Sequence, residues 1–133
     1  MSREGNPQEW LRAAERDRLT AQHLLTADHY EACAFYCQQA IEKLLKAIIV
    51  KQTNQRPPHI HSLRLLLEKI AEIDLTSEII EIAANIDAYY VGARYPLDAV
   101  DPGKFVRPLA ELAVQNTNEV FEWFLARISF DNR

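Results

Sequence analysis

From Tyr30 to Lys51 the chain runs without a glycine or a proline, and within that run Ala34, Cys37, Ile41, Leu44 and Ile48 recur at alternating spacings of three and four. Residues spaced in this way fall on one side of an α-helix, so the stretch predicts a long amphipathic helix. At the helical rise it would span roughly 33 Å, enough to act as the spine of a bundle. A second row on the same segment is polar. Gln39, Lys43 and Lys46 follow one another along it, Gln38 and Glu42 lie on the adjacent row, and Tyr36 begins the strip. This face reads either as a solvated helix surface or as a set of groups that meets a ligand.

The remaining segments follow the same period. Pro7 suits the first turn of a helix, and Trp10, Ala13, Ala14, Asp17, Ala21 and Leu24 trace its stripe. Asp17 is anomalous there, because an unpaired carboxylate is costly to bury. It must sit in an edge salt bridge or point into a cleft. A short turn at Asp28 and His29 makes the first two helices antiparallel neighbours. Pro57 and Pro58 end the second helix in a loop, and Ser62 is placed to cap a short third helix carrying Leu63, Leu66, Leu67 and Ile70. A fourth helix follows a turn at residues 74–77, with Ile79, Ile82, Ala83, Ile86, Tyr89, Tyr90 and Ala93 expected inward and Gly92 loosening its end. An irregular stretch is expected from Gly92 to Arg107, and a last helix from Pro108 with Leu109, Leu112, Ala113, Asn116, Val120, Trp123, Phe124 and Arg127 on its stripe. No strand-like alternation of useful length occurs. The expected fold is all-α, an antiparallel up-and-down four-helix bundle with an additional short helix, in a single domain over residues 1–133.

Bulk properties narrow the function. The formal net charge of −4 argues against a general nucleic-acid coat or a polybasic membrane binder, while leaving room for one local basic pocket. Cys33 and Cys37, one turn apart on the apolar side, suit small buried thiols rather than a disulfide scaffold, and a reducing cytoplasm is the expected location. The N-terminal segment has no apolar signal-like core, and no run is long enough for a membrane span. His59 and His61 are close in sequence but lack a third ligand at zinc-like spacing, so neither metal nor cofactor is expected. Tyr89, Tyr90, Arg94 and Tyr95 could stack on a base and grip a phosphate, or could simply close the end of a bundle.

The combination of the Trp-led first helix, YEACAFYCQQAIEKLLKAI, the HSL that opens the third helix and DAYYVGARYP closely resembles the prokaryotic HEPN domain over nearly the whole chain. That resemblance implies a five-helix bundle, a homodimer, and pairing with a minimal nucleotidyltransferase, often as a toxin–antitoxin cassette. It also implies nucleotide or RNA binding, and metal-independent ribonuclease activity in many members. The ribonuclease members carry an Arg and, after four to six intervening residues, a His. Here Arg16 and Arg18 precede His23 and Arg56 precedes His61, but none stands where the family places the pair, and Arg94 has no His within reach. The expected site therefore joins Asp17, Gln39, Lys43, Lys46, His61, Tyr90 and Arg94 around a nucleotide or RNA end. His61 with Arg94 or Arg56 is the candidate set for the alternative, a ribonuclease.

Overall fold

The structure is a computed structural model that describes residues 5–94 and 106–131, with residues 89–94 as backbone only. Over the described residues five helices follow in order: α1 (Pro7–Thr26), α2 (Tyr30–Thr53), α3 (Leu63–Leu67), α4 (Ser77–Arg94) and α5 (Arg107–Leu125). The chain is an antiparallel helical bundle in which α3 is the short addition.

Local sequence explains most of the helix ends. Asn6 caps α1, its Oδ1 accepting hydrogen bonds from Gln8 N at 3.0 Å and Glu9 N at 3.3 Å, and Pro7 occupies the first turn where its missing N–H is harmless. Asp28 turns the chain into α2 at φ 65°, a left-handed conformation that Asp tolerates better than most residues. Asn54 ends α2 in the same way at φ 56°, its N–H donating to the Val50 carbonyl at 2.8 Å, and the two prolines beyond prevent resumption. Thr76 Oγ1 accepts from Ile79 N at 3.2 Å at the start of α4.

Two of these ends differ from the sequence expectation. Helix α4 continues through Gly92 to Arg94 rather than loosening at the glycine. A single glycine weakens a helix by only about 1 kcal/mol, too little to end one that is otherwise well supported. Helix α5 starts at Arg107, so Pro108 sits inside its first turn instead of opening it. The irregular reading of residues 95–105, Tyr95 included, lies outside the described residues.

Helix α2 touches each of the other four helices, which explains its burial. The predicted stripe of Ala34, Cys37, Ile41, Leu44 and Ile48 is buried, and so are Ala40, Leu45, Ala47, Ile49 and Val50 on other sides. A helix packed against four neighbours has little solvated face to spare: Gln38, Glu42 and Lys46 are enclosed with the apolar residues, while Gln39 and Lys43 stay half-buried. Of the two readings of the polar face, a simple solvated surface does not hold for Gln38, Glu42 and Lys46. Phe121 and Phe124 of α5, Ile79 and Ile86 of α4, and Leu63 and Leu66 of α3 complete the core, while Ala14 and Ala21 let α1 approach closely.

The stripe on α5 is also turned from the expected one. Ala110, Ala113, Thr117, Val120, Phe121 and Phe124 face inward, whereas Leu112 is 44% exposed. Apolar residues occupy two overlapping rows of this helix, and the large Phe121 ring selects the row. Thr117 is tolerated inside because its hydroxyl donates to the Ala113 carbonyl at 2.7 Å. Cys33 and Cys37 are free and buried, and the hydrogen bond with Cys33 together with burial drives the Cys37 thiol far above its ordinary range. Among the described residues, no helix is long and apolar enough to cross a membrane.

Candidate functional site

The polar residues Gln38, Glu42 and Lys46 stand one turn apart on α2 and are only 0%, 5% and 6% exposed. Buried polar groups must satisfy one another, and these do so around Glu42. Its carboxylate accepts from Lys46 Nζ at 3.0 Å and from Gln38 Nε2 at 3.2 Å, and it lies 3.1 Å from His61 Nδ1. A carboxylate can only accept, so the ring proton of His61 must sit on Nδ1 for that contact to be a hydrogen bond.

Gln38 extends the row in both directions. Its Nε2 also donates to the His61 carbonyl at 2.8 Å, and its Oε1 accepts from Gln39 Nε2 at 2.7 Å. His61 is thus fixed by backbone and by ring, although its side chain is 57% exposed. It is the point where the buried row reaches solvent.

Helix α1 supplies the opposite wall. Asp17, buried in the α1 stripe, accepts from Lys43 Nζ at 2.6 Å. The anomaly in the α1 pattern is therefore an interhelical ion pair. Farther along the same stripe, the half-buried Trp10 places its ring 5.8 Å from Lys46 Nζ, so the ammonium has a carboxylate on one side and a π-face on the other. The Trp10 Nε1 is buried without an acceptor among the described residues.

Of the residues singled out in the sequence, Asp17, Gln39, Lys43, Lys46 and His61 are gathered along the seam between α1 and α2 and at its mouth before α3. The backbone of α4 carries Tyr90 and Arg94, but their side chains lie outside the described residues. Lys43 and Lys46 are each held by a carboxylate, Asp17 and Glu42 respectively. Two acids and two lysines balance, so the seam is polar without being strongly basic.

Sequence reasoning puts Glu42 beside the polar strip but leaves it, the residue that organises this arrangement, out of the expected site. A Glu followed by Lys at i+4 is the usual signature of a surface ion pair, and nothing local distinguishes the buried version. Among the described residues, no group of His, Cys, Asp and Glu is arranged to hold a metal ion.

A second polar cluster joins the turn between α1 and α2 to the start of α5. Arg107 donates to Asp28, which also accepts from the Tyr30 hydroxyl at 3.1 Å, and the guanidinium lies 5.6 Å from the Tyr30 ring. The Arg107 and Tyr30 hydrogen bonds hold the Asp28 carboxyl below its ordinary range. Asp28 and Arg107 are exposed, while Tyr30 is half-buried against the core.

The fold can be compared with known proteins. A crystal structure of the Thermus thermophilus protein TT1696 superposes with a TM-score of 0.83 at 25% identity, covering 96% of this chain and 100% of the other. The crystal structure of ST0689, an archaeal HEPN homologue, superposes with a TM-score of 0.76 at 22% identity, covering 93% of this chain and 98% of the other. No curated protein matches the sequence. The HEPN domain family model matches residues 7–128, from the first residue of α1 to just beyond α5, and the chain belongs to the HEPN domain family.

Proposed function

We propose that this HEPN domain is a binding and interaction module that takes a nucleotide or an RNA end at the mouth of the α1–α2 seam. The observation that carries the reading is the continuous polar row from Gln39 through Gln38 and Glu42 to His61, buried along α2 and opening to water at one histidine. A protein interior rarely holds such a row unless it fixes geometry or meets a ligand. A phosphate would bind by exchange, displacing Asp17 from the partly exposed Lys43 rather than adding to an unpaired cation. Lys46 would support the local potential from inside, Tyr90 would stack on the base, and Arg94 would clamp the phosphate from α4. Exchange of one anion for another predicts modest affinity that falls with salt.

Calorimetric titration with ATP and with short RNA tests this. Binding is expected in the wild type and loss of at least tenfold in affinity in the double variant Lys43→Ala, Arg94→Ala. No binding by the wild type, or equal binding by the variant, removes the proposal. Family membership supports two further parts of the reading: a homodimer, and association with a minimal nucleotidyltransferase in a two-component, toxin–antitoxin type system in the cytoplasm. Light scattering and co-purification with the neighbouring gene product test them.

A second reading has its own observation. His61 Nδ1 against the buried Glu42 carboxylate is an acid-oriented imidazole, the arrangement that prepares a histidine for proton transfer in metal-independent RNA cleavage. Arg94 or Arg56 would then steady the phosphate. Labelled RNA incubated with chelator distinguishes the two: cleavage abolished by His61→Ala establishes the enzyme, and intact RNA at high protein concentration retires it.

A further inference from the structure

Helix α3 spans only Leu63–Leu67, too short to persist without outside support. Its own cap, Ser62 Oγ, accepts from Leu65 N at 3.3 Å. The stronger restraint comes from another helix. Asp87, on α4, accepts from Ser62 Oγ at 3.1 Å, from Leu63 N at 2.8 Å and from Arg64 N at 3.2 Å. One carboxylate thus gathers donors from three consecutive residues and ties them to α4.

His61 immediately precedes those residues. On its other side it is held to α2 through the Gln38 contact with its carbonyl and the Glu42 contact with its ring. The segment is therefore stretched between two helices, with Asp87 fixing one end and the polar row of α2 fixing the other. In the loop that leads into it residues 54–56 and His59 are exposed, while Pro57 is buried and Ile60 is half-buried against the core. Ile60 and the Gln38 bond hold the segment up to His61, and the α4 anchor holds it from Ser62 onward, next to the ring that meets Glu42.

We infer that Asp87 is a positioning residue: by drawing residues 62–64 onto α4, it sets the place and the ring tautomer of His61 and thereby the contact that His61 makes with a bound nucleotide or RNA end. The ligand part rests on the function proposed above; the positioning part does not. Asp87 acts on the three residues that follow His61, and His61 reads out their position through the Glu42 hydrogen bond.

The test starts without ligand. In protein labelled with 15N in its histidines, two-bond 1H–15N correlation at a pH where the His61 ring is neutral reports which ring nitrogen carries the proton. The wild type is expected to show the Nδ1–H form as the major species, as the Glu42 contact requires. Asp87→Ala is expected to return the ring to the Nε2–H form that predominates in free histidine, and to speed amide exchange at Leu63 and Arg64 at least tenfold. Asp87→Asn keeps an acceptor for Leu63 N and is expected to fall between the two, which provides a folded comparison should the alanine variant fail to fold. An unchanged ring signature in the asparagine variant, or in a folded alanine variant whose amides exchange faster, reduces Asp87 to a helix cap and overturns the inference.

Titration with ATP and short RNA then addresses the ligand. Asp87→Asn and His61→Ala are expected to weaken binding through one shared contact, so that the double variant binds no more weakly than His61→Ala alone. Weakening by His61→Ala with none by Asp87→Asn overturns the inference. If the wild type binds neither probe, the proposed function falls, while the ring signature still decides whether Asp87 positions His61.

Discussion

The α1–α2 seam and the α1–α2 turn use the same ingredients in different surroundings. In the seam, Glu42 pairs with Lys46 and the ammonium faces the Trp10 ring; at the turn, Asp28 pairs with Arg107 and the guanidinium faces the Tyr30 ring. The Glu42–Lys46 pair is enclosed by the bundle, whereas the Asp28–Arg107 pair lies in water, and both rings are half-buried. Burial makes each seam partner dependent on the other, because removing one leaves an uncompensated charge away from solvent. At the turn, solvent replaces whatever is lost. The contrast explains why an acid–base pair cannot be valued from its distance alone.

The largest effect that would sharpen this contrast is expected from Glu42→Ala. Stranding Lys46 and removing the acceptor for Gln38 and His61 should lower unfolding free energy by about 3–5 kcal/mol, read from urea denaturation. Replacing both charges, as Glu42→Gln with Lys46→Met, should restore much of the loss. A loss below about 1 kcal/mol for the alanine variant would place this row in solvent and break the comparison. Asp17→Asn should come next, at about 1–3 kcal/mol, because it removes a charge-assisted hydrogen bond from a partly covered pair.

At the turn, Arg107→Ala should cost little at neutral pH, and the pH dependence is the better readout. Arg107 lowers the Asp28 carboxyl from its ordinary 3.8, so the folded state binds that proton less readily than the unfolded chain. The stabilisation is present above 3.8 and is lost as pH falls through the lower folded value. Wild type and variant should therefore converge in acid, and parallel curves throughout would show that the clamp does not act through Asp28. The smallest effect has the opposite sign. Glu78 raises the exposed Glu119 carboxyl above its ordinary 4.5, so the ionised pair opposes folding at neutral pH and the opposition disappears as pH falls through the raised value. Glu119→Gln should be slightly more stable than wild type at pH 7 and indistinguishable in strong acid.

The helices are readable because their apolar residues repeat along the chain, and the Ser62 cap because it acts within three residues. The depth of the α2 polar row is not. Gln38, Glu42 and Lys46 have the spacing of any exposed ion-pair ladder, and only the packing of α2 among four other helices encloses them. His61 reaches Glu42 from a loop nineteen residues away, and Asp87 reaches Leu63 across twenty-four, so neither pairing has a local signature. The α5 stripe escapes sequence reading for a related reason: Leu112 and Phe121 offer competing inward rows, and the choice between them belongs to the neighbours. Asp17 is legible as an anomaly because its stripe is otherwise apolar, but the identity of its partner comes from the antiparallel docking of α1 on α2.

The two thiols on the spine helix give the molecule a built-in clock. Both are sealed within α2, the helix that meets all the others, and the Cys37 sulfur holds its proton tightly. A soluble alkylating reagent can reach them only during moments when the assembly comes apart, so the pace of labelling at saturating reagent counts those openings directly. The chain needs no attached dye to report how often its interior is laid bare.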